Sequence, residues 1–123
     1  MTMSINPFDP ASATERFHTA IDELDFAAIE DFLAADATYS SGKVGGLKGR
    51  ADILVAFRRY FAEYPDQVAE DSVIEKISPL AARAVWSLHA TSATTGDPLV
   101  RHGEETITFN ELGKIVSVDV TDY

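Results

Sequence analysis

Hydrophobic residues in the first part of the chain recur at helical spacing. Phe17, Ile21 and Leu24 lie at positions i, i+4 and i+7, which places their side chains on one face of a helix. Just before them, Ser12 and Glu15 form a capping-box pattern, in which each residue can satisfy an unpaired amide at a helix start. The pattern predicts a first amphipathic helix that begins at Ser12.

The same periodicity continues through two more segments. Asp25 can cap a second helix, whose inner face would carry Phe26, Ile29 and Leu33. A third helix is predicted to open at residues 49–52 and to end at Pro65, because proline cannot continue the hydrogen-bond ladder. Its apolar face would consist of Ile53, Phe57, Tyr60 and Tyr64.

From about Val68 onward the period shifts to two, which predicts strands. The predicted strands are residues 73–77, 84–93, 99–110 and 114–122. Short turns join them, so consecutive strands should pair antiparallel. Helices followed by strands indicate an α+β fold. We expect one domain over residues 1–123, with residues 1–11 as a loosely ordered arm.

Charge and composition limit the classes of binding partner that we expect for this chain. The chain of 123 residues has 46% hydrophobic residues and a formal net charge of −10, so binding to nucleic acid or to an anionic membrane surface is disfavoured. It has no cysteine, which excludes disulfides and thiolate metal sites. No apolar run has the ~20 residues of a membrane helix. Residues 1–10 lack the basic and apolar segments of a signal peptide, so we expect a cytoplasmic protein.

Four local patterns, taken in order, resemble the NTF2-like superfamily and, within it, the SnoaL-like polyketide cyclases and ketosteroid isomerases. The patterns are Leu24–Ile29 followed by Phe32–Tyr39, then Leu47–Ile53, Arg83–Ala90, and Ile107–Asn110 with Gly113–Val116. The resemblance implies a cone, in which a strongly curved, mainly antiparallel sheet wraps three helices around an apolar pocket. It also implies a homodimer through the outer sheet face.

The resemblance also allows the catalytic positions of the two enzyme classes to be compared with the residues of this sequence. The base of ketosteroid isomerases falls at Ser41, their oxyanion tyrosine at Phe17 and a supporting tyrosine at Phe57. Steroid isomerisation needs such a base and such donors, so that activity is excluded. The acid/base carboxylate of the polyketide cyclases falls at Val120. The nearby Asp119 lies on the opposite strand face and is expected to meet solvent or a dimer partner.

Two polar residues remain as candidate catalytic groups. Glu105 falls where ketosteroid isomerases keep a second carboxyl group, and it shares a strand face with Ile107. A carboxyl group on an apolar face is a candidate general acid or base, because desolvation disfavours its charged form. Alternatively, Glu105 meets solvent or Arg101 near the strand end. Tyr39 could donate a hydrogen bond to a ligand oxygen, or it could simply pack in the core.

The expected pocket wall combines apolar side chains from helices and strands. The candidate ligand-binding residues are Phe17, Ile21, Ser41, Phe57, Trp86, Ile107, Val118 and Val120. We expect His18 at the pocket edge or in solvent, and His89 and His102 on the outer sheet face. No spacing of histidines suggests a metal site, and Gly45-Gly46 is most simply a loop.

These observations leave three hypotheses. The first is an isomerase, cyclase or dehydratase that acts on a small hydrophobic substrate with a carbonyl or hydroxyl group, with Glu105 as acid or base and no cofactor. The second is a non-catalytic module that binds such a ligand. The third is a dimeric interaction module whose cone is filled by its own side chains.

Overall fold

The computed structural model describes residues 8–42 and 45–123. Within them, three helices and one six-stranded sheet form the α+β fold that the sequence predicts. The elements are α1 (Pro10–Asp22), α2 (Phe26–Phe32), β1 (Leu33–Ser41), β2 (Gly45–Lys48), α3 (Arg50–Glu63), β3 (Val68–Ser78), β4 (Ala81–Thr91), β5 (Pro98–Phe109) and β6 (Ile115–Asp122). In the part of the chain that the structure describes, we find no helix that could span a membrane.

The first helix begins two residues earlier than the capping-box pattern predicts. The Asp9 carboxylate accepts a hydrogen bond from the Ala11 amide at 3.0 Å, and Pro10 occupies the first helical position, where its missing N–H costs nothing. The prediction that Ser12 caps the helix is therefore wrong. The Ser12 hydroxyl instead accepts a hydrogen bond from the Arg16 guanidinium at 2.7 Å.

The described end of the predicted arm packs against the sheet. Phe8 lies edge-on to Phe109, with 5.0 Å between the ring centroids, and residues 10 and 11 belong to α1. Residues 1–7 lie outside the described part of the chain. The loose arm predicted over residues 1–11 therefore does not extend to residues 8–11.

The second and third helices lie where they are predicted, but each is shorter: Leu33, expected on α2, is the first residue of β1, and Tyr64, expected on α3, follows its last residue. The Asp25 carboxylate caps α2 by accepting from the Ala28 amide at 3.1 Å, and Ile29 on its inner face is fully buried. Gly49 precedes α3 with a φ of 96°, a conformation that glycine adopts without strain. The helix ends at Glu63, shortly before Pro65.

The six strands form one sheet in the order β2-β1-β6-β5-β4-β3. The consecutive strands β3 to β6 pair antiparallel through short turns, as predicted. The strand β6 also pairs with β1 in parallel, so the sheet is mixed. The Gly45-Gly46 pair begins β2, which pairs with β1, and the loop prediction is wrong there. Its sequence gives little strand signal, because Leu47 is its only large apolar residue.

The core lies between the helices and the inner face of the sheet. Its largest fully buried side chains include Phe17, Ile29, Ile53, Ile107, Phe109 and Ile115. Across β4 and β5, Trp86 is paired with Gly103. A Cβ atom at Gly103 would lie 2.5 Å from the Thr121 carbonyl oxygen and 2.9 Å from the indole ring. Glycine at this position therefore lets the indole approach the sheet closely.

Candidate active site

A cavity opens between the sheet and the helices α1 and α3. It encloses about 870 Å³ of non-atom space, including its open mouth. Much of its wall is apolar and comes from Ile21, Leu47, Phe57, Phe61, Trp86, Leu88 and Val120. Polar side chains enter it from His18, Asp22, Tyr39, Tyr60, Gln67, Asp71, Arg101 and Glu105. An apolar cavity with a few converging polar groups is typical of a small-molecule site.

His18 lies between two carboxylates. Its Nε2 atom is hydrogen-bonded to Oε1 of Glu105, and its Nδ1 atom is 2.7 Å from Oδ2 of Asp71. A carboxylate can only accept hydrogen bonds, and both ring nitrogens donate only when the imidazole is protonated. The two contacts therefore favour the imidazolium form of His18.

The electrostatics of this cluster, His18–Asp71–Glu105, support the same conclusion. Burial lowers the pKa of His18, but the charge of Glu105 and the hydrogen bonds to Asp71 and Glu105 together outweigh it and raise the pKa from 6.5 to about 10. His18 is therefore cationic at neutral pH. It offsets one of the two carboxylate charges in a site where an unpaired charge would be costly.

Three elements bring the cluster together. His18 follows the buried Phe17 on α1, about 100° further round the helix. Asp71 lies on β3 opposite Trp86, immediately before the pairing register of β3 shifts. Glu105 lies on β5 between Ala84 and Val120 of the neighbouring strands. These small or compact neighbours leave room for its carboxylate, and Glu105 is 8% exposed.

Tyr39 lines the same cavity from β1. Its ring packs edge-on against Phe57, with 5.5 Å between the centroids. Burial, and after it the charge of Glu105, raise the pKa of Tyr39 above its ordinary value, so its hydroxyl stays neutral. Within residues 8–42 and 45–123, no hydrogen bond engages that hydroxyl, which is therefore available to a ligand.

Arg101 forms a second polar group in the cavity. Its Nε and Nη2 atoms lie 3.1 Å and 2.9 Å from Oδ1 of Asp122, and its Nη1 atom donates to the Tyr60 hydroxyl at 3.2 Å. The guanidinium carbon lies 5.2 Å from the centroid of the Trp86 ring. Arg101 thus pairs with Asp122 and not with Glu105, which has His18 as its partner.

Six of the predicted site residues line the cavity: Tyr39, Glu105, Ile21, Phe57, Trp86 and Val120. The other four are buried beside it and are not part of its lining: Phe17, Ser41, Ile107 and Val118. For Phe17 the reason is a contact with Phe32, at 5.7 Å between ring centroids, which directs it into the core. Asp119, His89 and His102 are exposed, as expected.

Sequence reasoning missed the partners of Glu105. His18 was expected at the pocket edge or in solvent, yet it contributes the central cation of the cluster. A signal existed, since His18 lies three residues before Ile21 and so shares its helix face. Asp71 had no such signal, because only the register of β3 against β4 places it on the inner face. In the described part of the chain, no group of three or more His, Asp or Glu residues could hold a metal ion.

The family follows from a comparison with family models. The model of the SnoaL-like domain matches residues 14–118. The chain belongs to the SnoaL-like domain family. The resemblance drawn from the sequence is thereby confirmed. A comparison of this SnoaL-like domain with curated protein sequences gives no match.

Solved structures share the fold of this SnoaL-like domain. SalBIII, described as an epoxide hydrolase/cyclase-like enzyme in pyran ring formation of the polyether salinomycin, is 16% identical with a TM-score of 0.80, over 91% of this chain and 88% of SalBIII. An NTF2-like protein of unknown function from Exiguobacterium is 16% identical with a TM-score of 0.79, over 90% of this chain and 98% of that chain.

A third similar structure holds a steroid derivative. It is a Mycobacterium tuberculosis protein in complex with estradiol-17beta-hemisuccinate, 17% identical with a TM-score of 0.79, over 94% of each chain. At such low identity these likenesses establish the fold of the SnoaL-like domain and leave its chemistry to its own residues.

Proposed function

We propose that this SnoaL-like domain is an enzyme that transfers protons on a small hydrophobic molecule bearing a carbonyl or hydroxyl group, in a reaction of the isomerase, cyclase or dehydratase type. One observation carries the proposal: a carboxylate that is only 8% exposed lines an apolar cavity and is held by a histidine. Structural relatives include an enzyme of the epoxide hydrolase/cyclase type and a protein that binds a steroid derivative, which supports a ligand of this class.

Glu105 would act as the base. Its Oε1 atom is engaged by His18, while in the described part of the chain no protein group bonds its other oxygen, Oε2. That oxygen can accept a proton from a carbon next to a ligand carbonyl. The electrons of the broken C–H bond then form an enolate, and the same proton or another returns from Glu105 to complete the exchange or isomerisation.

Tyr39 would stabilise the charge that develops on the ligand oxygen. Its neutral hydroxyl donates one hydrogen bond, and such a donor in a site sheltered from water lowers the energy of an enolate. His18 would be a positioning residue, because it fixes the orientation of Glu105. Asp71 would fix His18 in turn through the 2.7 Å contact with Nδ1.

The test uses a reaction that needs no knowledge of the natural substrate. Tetralone is a hydrophobic ketone, and the hydrogens next to its carbonyl exchange with deuterium from heavy water when a base removes them. The wild-type protein should bind tetralone and accelerate this exchange, measured by proton NMR. Glu105→Gln should slow the exchange by about 100-fold or more, a typical contribution of general base catalysis, while the affinity stays within a few-fold.

Glu104→Gln is the matched control. Glu104 is the preceding residue on β5, and its carboxylate pairs with Arg83 at 2.5 Å, away from the cavity lining. This variant should exchange tetralone at the wild-type rate. Binding of tetralone without any accelerated exchange in the wild type would reject the enzyme proposal in favour of a binding module. The absence of any binding would favour an interaction module.

We also propose a homodimer through the outer sheet face, supported by exposed apolar side chains there. Val73 and Val100 are 40% and 54% exposed. Val100 precedes the inward-facing Arg101, and Val73 pairs with Val85 after the register shift that follows Asp71, so both valines lie on the outer face. Sedimentation should give about twice the chain mass of 13.4 kDa, and Val100→Glu should give the monomer mass. A wild type that sediments as a monomer contradicts the proposal.

A further inference from the structure

Tyr60 lines the cavity, and its hydroxyl group can still donate a hydrogen bond. Its oxygen accepts a hydrogen bond from Nη1 of Arg101 at 3.2 Å. A guanidinium group only donates hydrogen bonds, so this contact cannot use the hydrogen of the phenol. Among residues 8–42 and 45–123, no acceptor receives that hydrogen. Tyr60 lines the cavity, where a ligand atom can receive it.

Arg101 is held firmly enough to fix this arrangement. Its side chain is 11% exposed, it makes two hydrogen bonds to one oxygen of Asp122, and it lies against Trp86. A fixed donor keeps one lone pair of the Tyr60 oxygen occupied, so the O–H bond must point elsewhere. The positive charge also polarises the hydroxyl, which makes it a stronger donor.

Tyr39 brings a second phenol into the same cavity. The two rings come from β1 and α3, and Phe57 packs against Tyr39 while Phe61 packs against Tyr60 at 5.2 Å between centroids. Neither hydroxyl hydrogen has an acceptor in the described part of the chain. A carbonyl oxygen has two lone pairs and could accept both bonds.

We propose that Tyr60, positioned by Arg101, is a ligand-binding donor that acts with Tyr39 to select molecules carrying a carbonyl oxygen over equally large hydrocarbons. The inference rests on the proposed function, since it concerns the ligand of the same cavity. It adds that a carbonyl group, and not a hydrocarbon surface alone, decides which molecules bind. It also assigns to the Arg101–Asp122 pair the role of orienting Tyr60.

The test compares tetralone with tetralin, the hydrocarbon that has a methylene group in place of the carbonyl. The wild type should bind tetralone more tightly than tetralin. Tyr60→Phe should weaken tetralone binding about five-fold, the effect of roughly one hydrogen bond, and leave tetralin binding unchanged. The infrared carbonyl stretch of bound tetralone should move to higher frequency in this variant, because the carbonyl loses a donor.

Tyr64→Phe is the matched control. The Tyr64 ring lies 5.1 Å from that of Tyr60, yet Tyr64 is not part of the cavity lining. Its variant should change neither affinity nor the carbonyl frequency. A purely structural role of Tyr60 would instead weaken both probes equally and leave the frequency of the remaining complex unchanged, which overturns the proposal.

Two further outcomes also overturn it: a wild type that binds tetralone no better than tetralin, and a wild type that binds neither. Failure of the proposed function shows itself differently. In that case deuterium exchange is absent from the wild type, although tetralone binds and Tyr60→Phe still weakens it. Conversely, exchange that depends on Glu105 but not on the Tyr60 hydroxyl supports the enzyme and rejects the donor.

Discussion

The strongest prediction concerns the protonation of His18. Its pKa rises from 6.5 to about 10 on folding. A pKa difference of one unit between the folded and unfolded states corresponds to 1.36 kcal/mol of folding free energy. The protonated imidazole therefore contributes about 4–5 kcal/mol to stability, an order-of-magnitude figure for a group whose side chain is 15% exposed. Because the folded pKa is the higher one, this contribution is complete below pH 6.5 and is lost as the pH rises towards 10.

The measurement is the free energy of unfolding by urea, compared between the wild type and His18→Gln at several pH values. The wild type should be more stable at pH 6, and its advantage should shrink by up to about 1.4 kcal/mol per pH unit until it is lost near pH 10. The comparison cancels the titration of the groups that do not interact with His18. A stability difference that stays constant over this range would refute the reasoning.

NMR gives an independent check that does not require His18→Gln to fold. A variant with His89 and His102 replaced by glutamine retains one histidine, so its ring signals can be assigned directly to His18. Those signals should stay at the imidazolium position from pH 6 to pH 8. A titration midpoint below pH 7 would show that the two carboxylates do not hold the proton.

Three further predictions concern stability and are measured by urea unfolding. Gly103→Ala should cost about 2 kcal/mol or more, because its Cβ would lie 2.5 Å from the Thr121 carbonyl oxygen; an unchanged stability would mean that the strands can separate there freely. Gln67→Met should stabilise the protein by about 1 kcal/mol, since neither polar atom of the buried Gln67 amide makes a hydrogen bond of ordinary geometry among the described residues; a loss of stability would indicate that the neighbouring Asp22 carboxylate or a bound water holds the amide. Asp9→Ala should cost about 1 kcal/mol as a lost helix cap, whereas Ser12→Ala should cost less than about 0.5 kcal/mol, and the reverse order would restore Ser12 as the cap.

The fold could be predicted because its signals are local. The cap at Asp25 and the stop at Pro65 each depend on residues a few positions away, and each lies where the sequence predicts. The predicted start of α1 was wrong for an equally local reason. Asp9 and Ser12 are both good caps, and the proline after Asp9 decides between them. The strand β2 was not predicted, because its pairing with β1, rather than its own sequence, makes it a strand.

The site was only partly predictable, because its partners are distant in sequence. Glu105 and Tyr39 could be named from strand faces and from the family resemblance. The contact of Glu105 with His18 joins residues 87 positions apart, and the contact of His18 with Asp71 joins residues 53 apart. The hydrophobic pattern of a sequence does not predict such contacts. They depend on how α1 packs over the sheet and on the shifted register of β3.

The position of β6 has a consequence for the order of assembly during synthesis. This strand comes last among the nine elements of the described chain, yet it lies in the middle of the sheet between β1 and β5. Until it emerges from the ribosome, β1 and β5 expose unpaired backbone edges, which invite association with other chains. Asp122, which anchors Arg101, arrives with the same strand. A nascent chain can thus form its helices and the β3–β5 hairpins early, but it acquires the complete cavity only when β6 has inserted, and it needs protection from aggregation until then.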